Sequence, residues 1–133
     1  MKNTSKKRDP VKWVRDRAKS AYTKKSSCEI CDSTQDLELH HYHSLTTLFE
    51  RFAKLKNYDI STDEAVCEIR DEFIKTHHSE LYELVVTLCN AHHVKLHTIY
   101  GPKPLASTVE KQARWVALQK EKHESKNLAS SQA

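Results

Sequence analysis

Two short chelating motifs constrain this chain more than any other feature of it: Cys28-Glu-Ile-Cys31 and Cys89-Asn-Ala-His92. In each, two donors stand three positions apart, within reach of one ion held by a tight knuckle or by a knuckle running into a helix. Together they supply the four ligands of a tetrahedral zinc site. Buried thiols beside a satisfied histidine are the simpler alternative, and the repetition of the half-site argues against it. A fold that joins the two halves must bring residues 28–31 against residues 89–92 and carry everything between them as an excursion.

The rest of the cysteine arithmetic agrees. Lys2-Asn-Thr-Ser-Lys-Lys-Arg8 carries charge but has no apolar stretch behind it, so it does not read as a secretory signal. The four cysteines are then expected as reduced thiols or metal ligands in the cytoplasm rather than as disulfides. Cys67 lacks a partner motif and is expected as a small core residue. No segment approaches the roughly 20 apolar residues of a bilayer span, so no membrane partner is expected.

A single glycine, Gly101, among 133 residues excludes folds that bind phosphate on glycine loops and disfavours sandwiches built on tight primed hairpins. What remains is a mostly helical α+β chain. Asp9-Pro10 should start a helix as cap and first-turn proline, with Val11, Val14, Ala18 and Ala21 as its apolar stripe. Leu37-Glu-Leu-His-His41 alternates as a strand, and Leu45, Leu48, Phe49, Phe52 and Leu55 have helical spacing over 44–56. Ser61-Thr-Asp-Glu64 carries a capping-box pattern for a helix to about 75. A second strand over 84–88, a helix over 90–98 stopped by Gly101-Pro102, and a helix over 107–124 complete the reading, with 125–133 frayed. Trp13 and Trp115 are expected to pack.

The histidines concentrate where zinc would gather the chain. On a strand, successive side chains face opposite ways, so His40 and His41 must do different work. His93 and His97 are four apart on one helical face. If zinc ties the two half-sites together, His40, His93 and His97 are delivered to a second metal as neutral imidazoles, with positions left open for water and substrate.

Charge is unevenly spread. Residues 1–25 hold ten basic side chains against Asp9 and Asp16, residues 26–102 sum to −7, and residues 103–133 return to +3. Basic ends around an acidic middle suit a polyanion, with Lys12, Arg15, Arg17, Lys19, Lys24, Lys25, Lys111 and Arg114 as candidate phosphate contacts; a solvated helix face is the plainer alternative.

With Cys28-Glu-Ile-Cys31, Leu37-Glu-Leu-His40-His41 and Leu88-Cys89-Asn-Ala-His92-His93-Val-Lys-Leu-His97 side by side, the sequence resembles an HNH endonuclease of the ββα-metal superfamily, in its zinc-bound treble-clef form. His97-Thr-Ile-Tyr-Gly-Pro-Lys-Pro104 is similar to small phage-borne HNH proteins. The resemblance implies one nuclease domain over 1–133. Within it, a basic arm and helix would fill 1–25 and a zinc/ββα-metal core 28–101, with a helical insert at about 44–76. It implies structural zinc on Cys28, Cys31, Cys89 and His92, a catalytic divalent ion (Mg²⁺, Mn²⁺, Ni²⁺ or Zn²⁺) on His40, His93 and His97, and His41 as general base. The implied reaction is hydrolysis of DNA phosphodiesters to 5′-phosphate and 3′-hydroxyl ends, in the host cytoplasm if the gene is a phage's. In the register of the family's central Asn this chain has Leu84, and His43, His77 and His78 are candidates to fill that role. The departure keeps open an alternative, a non-catalytic zinc module that binds nucleic acid.

Overall fold

The computed structural model describes residues 9–132, those beyond 128 by backbone alone. The basic arm expected from Lys2, Lys6, Lys7 and Arg8 lies outside the described residues. The chain divides into two compact units, one from the residues up to Tyr22 with Leu45–His78, the other from Thr23–Ser44 with Ser79 onward.

The first unit is three helices: α1 (Val11–Lys19), α2 (Leu45–Leu55) and α3 (Asp63–Thr76). Pro10 enters α1 at φ −65° and ψ −26°, the geometry its ring imposes. The Asp9 carboxylate, expected as a cap, is instead taken by the Arg15 guanidinium. Val11, Val14 and Ala18 are buried, but α1 ends before Ala21 and leaves that residue exposed. Leu55 departs in the same way: at the last turn of α2 it is 78% exposed, while Leu45, Leu48, Phe49, Phe52 and Ala53 face inward. Trp13, expected to pack, lies at the surface with Lys12 Nζ 5.3 Å from its ring centre. Thr62 caps α3 by accepting from the Ala65 amide at 3.1 Å. Phe73 meets Phe49 and Phe52 edge-on, with centroids 5.2 and 5.4 Å apart. Each such ring contributes about 1.5–3 kcal/mol by burial, so this unit rests on ordinary apolar packing. Cys67 is only partly buried, on α3.

The second unit holds strands β1 (Leu37–His41) and β2 (Val85–Cys89), helices α4 (Asn90–Tyr100) and α5 (Val109–Gln132), a π-helical turn (Ser79–Glu83) and a 3₁₀ turn (Ala106–Thr108). The strands form a two-stranded antiparallel sheet with Leu37 opposite Cys89 and His40 opposite Val86. The sheet is thus closed by residues far apart in sequence, and α2 and α3 lie between its strands in chain order. Leu84, expected to open β2, closes the π turn instead: its amide donates to the Ser79 carbonyl at 2.9 Å. The Ser107-Thr108 cap is replaced by the 3₁₀ turn that leads into α5. α5 continues to Gln132 where fraying from 125 was expected. No proline or glycine follows Pro104 to break it.

With a single glycine available, left-handed backbone falls to Asp32 (φ 60°), Asp36 (φ 52°) and Asn57 (φ 58°), residue types that tolerate it. The first two shape the path from the Cys28 knuckle into β1.

Candidate active site and metal centres

The knuckle at residues 28–31 is set by backbone bonds. The Cys28 amide donates to Ser33 O at 2.8 Å, Asp32 N to Cys28 O at 3.0 Å, and Glu29 N to Thr87 O on β2 at 2.9 Å. β2 then delivers Cys89 directly into α4, whose first turn carries His92. The four side chains expected as zinc ligands come together, with all their donor atoms within 4.8 Å of one another. Cys31 Sγ and Cys89 Sγ are 3.8 Å apart, and Cys89 Sγ and His92 Nδ1 3.3 Å. Zn–S bonds of about 2.3 Å in a tetrahedron put sulfurs about 3.8 Å apart, so the donor set fits the ion.

Electrostatics point the same way. Burial pushes the Cys28 thiol up, but the Cys31, Cys89 and Ile30 amides outweigh it and the net displacement is downward. Cys31 is pushed up to about 11, by burial first and then by the neighbouring sulfurs. A second thiolate beside the first is disfavoured until a cation shares the space.

The second cluster is built across β1 and α4. His40, 1% exposed, His93 and His97 bring their donor atoms within 4.8 Å of one another. His40 Nδ1 and His97 Nε2 each lie 3.1 Å from His93 Nε2. Metal–nitrogen bonds of about 2.1 Å require separations of about 3.0–3.4 Å, so these three imidazoles also fit one ion. The other nitrogen of every ring faces an acceptor. His40 Nε2 is 2.7 Å from Gln112 Oε1, His93 Nδ1 2.7 Å from Glu38 Oε1, and His97 Nδ1 2.8 Å from the Gly101 carbonyl. Protons on those outer nitrogens leave three lone pairs aimed at one point, an arrangement that a cation stabilises. Burial, with His93 and His97 adding to it, holds His40 at about 4, well below ordinary imidazole.

Gln112 and Glu38 were not singled out from the sequence. Glu38 stands two residues before His40 and so shares its strand face, a signal that was available. Gln112 aligns with Val109 and Val116 on the inward stripe of α5, where a polar residue requires a partner.

His41 points away from His40. Its Nε2 lies 2.9 Å from the Leu81 carbonyl, which only accepts, so the neutral ring carries its proton there and its lone pair on Nδ1. Burial lowers its basicity, with His93 adding to the effect and the Leu81 carbonyl opposing it. His77 packs on Phe73 and Phe52 in the other unit, with centroids 5.1 and 6.1 Å away, and His78 is exposed. His43, on the loop after β1, is half-buried. A main-chain carbonyl in the π turn leaves no side-chain signature to find.

The candidate phosphate contacts divide between the units. Lys12, Arg15, Arg17 and Lys19 lie on α1, where Arg15 pairs with Asp9 and Arg17 with Asp71 at 3.2 Å. Lys24 donates to the Leu37 carbonyl at 3.0 Å and Lys25 pairs with Glu29 at 3.4 Å, both in the second unit. Lys111 and Arg114 are exposed on α5.

Over residues 1–129 the sequence matches the model of the phage T5 nicking endonuclease family. The chain belongs to that nicking endonuclease family. It is a phage nuclease whose substrate is DNA. No solved structure matches the chain. Among the described residues of this nicking endonuclease, no helix is long and apolar enough to cross a membrane.

Proposed function

We propose that this nicking endonuclease cuts one strand of DNA by metal-assisted hydrolysis at an HNH (ββα-metal) site on β1, β2 and α4, with His41 as general base. One observation carries the reading: three imidazole lone pairs, on His40, His93 and His97, converge on one point one residue along the strand from His41. Cys28, Cys31, Cys89 and His92 hold a structural zinc in this reading, closed by its four protein ligands, while three ligands leave the second site open to substrate.

His40, His93 and His97 would hold a divalent ion, which would supply neutralisation of the negative charge that develops in phosphodiester hydrolysis; Mg²⁺, Mn²⁺, Ni²⁺ and Zn²⁺ are the candidates, with imidazole ligation favouring the transition metals. His41 takes a proton on Nδ1 from the attacking water, while the Leu81 carbonyl holds the Nε2 proton and fixes the ring. Water oxygen bonds to phosphorus, the P–O3′ bond breaks, and the 3′ oxygen gains a proton from solvent, leaving 5′-phosphate and 3′-hydroxyl ends. Burial keeps His41 neutral at cytoplasmic pH and therefore able to accept. Lys12, Lys19, Lys24, Lys25, Lys111 and Arg114, with Arg15 and Arg17 exchanging their carboxylates, contact backbone phosphates without reading sequence. The setting is the host cytoplasm, where thiols stay reduced and available to metal.

The test is conversion of supercoiled plasmid to open circle with Mn²⁺ or Mg²⁺. His41→Ala is expected to slow nicking by about 10²–10⁴-fold with zinc content and circular dichroism unchanged. Equal rates in the two proteins would overturn the base assignment.

A further inference from the structure

We infer that Gln112 is a positioning residue, which sets through a chain of directional hydrogen bonds which nitrogen of His40 is offered to the metal. The inference rests on the metal-binding role proposed for His40. The chain begins at the Leu105 carbonyl, which only accepts. Thr108 Oγ1 donates to it at 2.7 Å, so the hydroxyl proton is committed and its oxygen is left as an acceptor. The Gln112 amide nitrogen then donates twice, to Thr108 Oγ1 at 3.0 Å and to the Tyr42 carbonyl at 3.1 Å.

Those two acceptors fix the amide plane. Turned over, the amide would set its oxygen against the Tyr42 carbonyl oxygen, so Oε1 must face His40. An oxygen 2.7 Å from His40 Nε2 requires the proton on that nitrogen, and the lone pair then sits on Nδ1, which faces His93 and His97. Gln112 is fully buried, as is His40, so water does not offer either group a substitute partner. His93 and His97 need no such device: both sit on one helix at four-residue spacing and lean on a carboxylate and a carbonyl that only accept. His40 comes from a different element, and its acceptor is the one that could have been reversed.

The test combines a spectrum of the wild-type protein with two variants. In the ¹⁵N-labelled, zinc-loaded protein at neutral pH, the His40 ring is expected to carry its proton on Nε2. Gln112→Met keeps length and removes the acceptor; Gln112→Glu keeps an oxygen toward His40, with at most one proton for the two acceptors that the amide nitrogen serves. Mn²⁺ alone, titrated calorimetrically, is expected to bind Gln112→Met about 10–100-fold more weakly than wild type, with zinc content and circular dichroism preserved. Gln112→Glu, which retains an acceptor for His40, is expected to bind Mn²⁺ more tightly than Gln112→Met. A His40 proton on Nδ1, or equal Mn²⁺ affinity in wild type and Gln112→Met, overturns the inference. Should Gln112→Met fail to fold, the wild-type ring spectrum still decides. A wild-type protein that takes up no metal beyond one zinc per chain would overturn the proposed metal site itself, before any Gln112 variant is made.

Discussion

The two clusters of side chains that could hold a metal ion are held in unlike ways. Around Cys28, Cys31, Cys89 and His92 the geometry is local: two three-residue steps, a knuckle closed by its own amides, and a strand running directly into a helix. Around His40, His93 and His97 the geometry depends on other elements, with Gln112 from α5, Glu38 from β1 and the Gly101 carbonyl from the end of α4 each holding one ring. The first arrangement suits a site that must never open. The second would leave one side of a bound ion open, with its tuning in residues outside the three imidazoles.

The largest effect should separate the clusters outright. Cys28→Ser is expected to lose zinc and with it the folded second unit, since structural zinc supplies on the order of 10 kcal/mol to small folds. His97→Ala is expected to keep its zinc and its fold and to lose the second metal. Zinc analysis with thermal melts checks both, and a folded, zinc-free Cys28→Ser protein would erase the distinction.

A smaller effect comes from acid. His40 is held at about 4 by burial and its two neighbouring imidazoles, against an ordinary value of 6.5. The unfolded chain therefore binds the extra proton first, and stability falls as pH drops from 6.5 towards 4, by roughly 3 kcal/mol in protein carrying zinc alone. Urea titrations of wild type and His40→Gln isolate the effect, because acid loss of zinc is common to both. A difference between them that does not change with pH would remove it.

The smallest effect belongs to Glu38. Its carboxylate, held below the usual range by His93 and then Asn90, orients His93 from a partly exposed position. Glu38→Ala is expected to weaken Mn²⁺ binding about 10-fold, the low end for such partners, while leaving zinc untouched. An equal loss at both metals would mean that the clusters are coupled.

The same contrast explains what could be read from the sequence. Chelating pairs at fixed spacing announce themselves, and a helical period puts His93 with His97 in any helix. The strand period separates His40 from His41 before any coordinates exist. Tertiary partners are another matter. Gln112 meets His40 only after α5 has chosen its angle, and the Leu81 carbonyl belongs to a π turn that no residue type signals. Period places the ends of α2 but not what its last turn buries: Leu55 continues the apolar pattern in sequence but sits past the packed surface. Leu84, which stands where the resemblance calls for Asn, follows the π turn and closes it through its amide.

The long excursion between the two strands has a consequence for how the molecule assembles. His40 and His93 are 53 positions apart, yet must lie side by side. Closing a chain segment costs entropy that grows only logarithmically with its length, about 0.6 kcal/mol per doubling, so an insert of two helices adds little to the equilibrium cost. Its toll is in time. Helical turns in α2 and α3 form from near neighbours, whereas the sheet and both clusters wait for distant segments to meet, the condition that slows folding most. Nuclease activity is therefore expected to be the last property a newly made chain acquires.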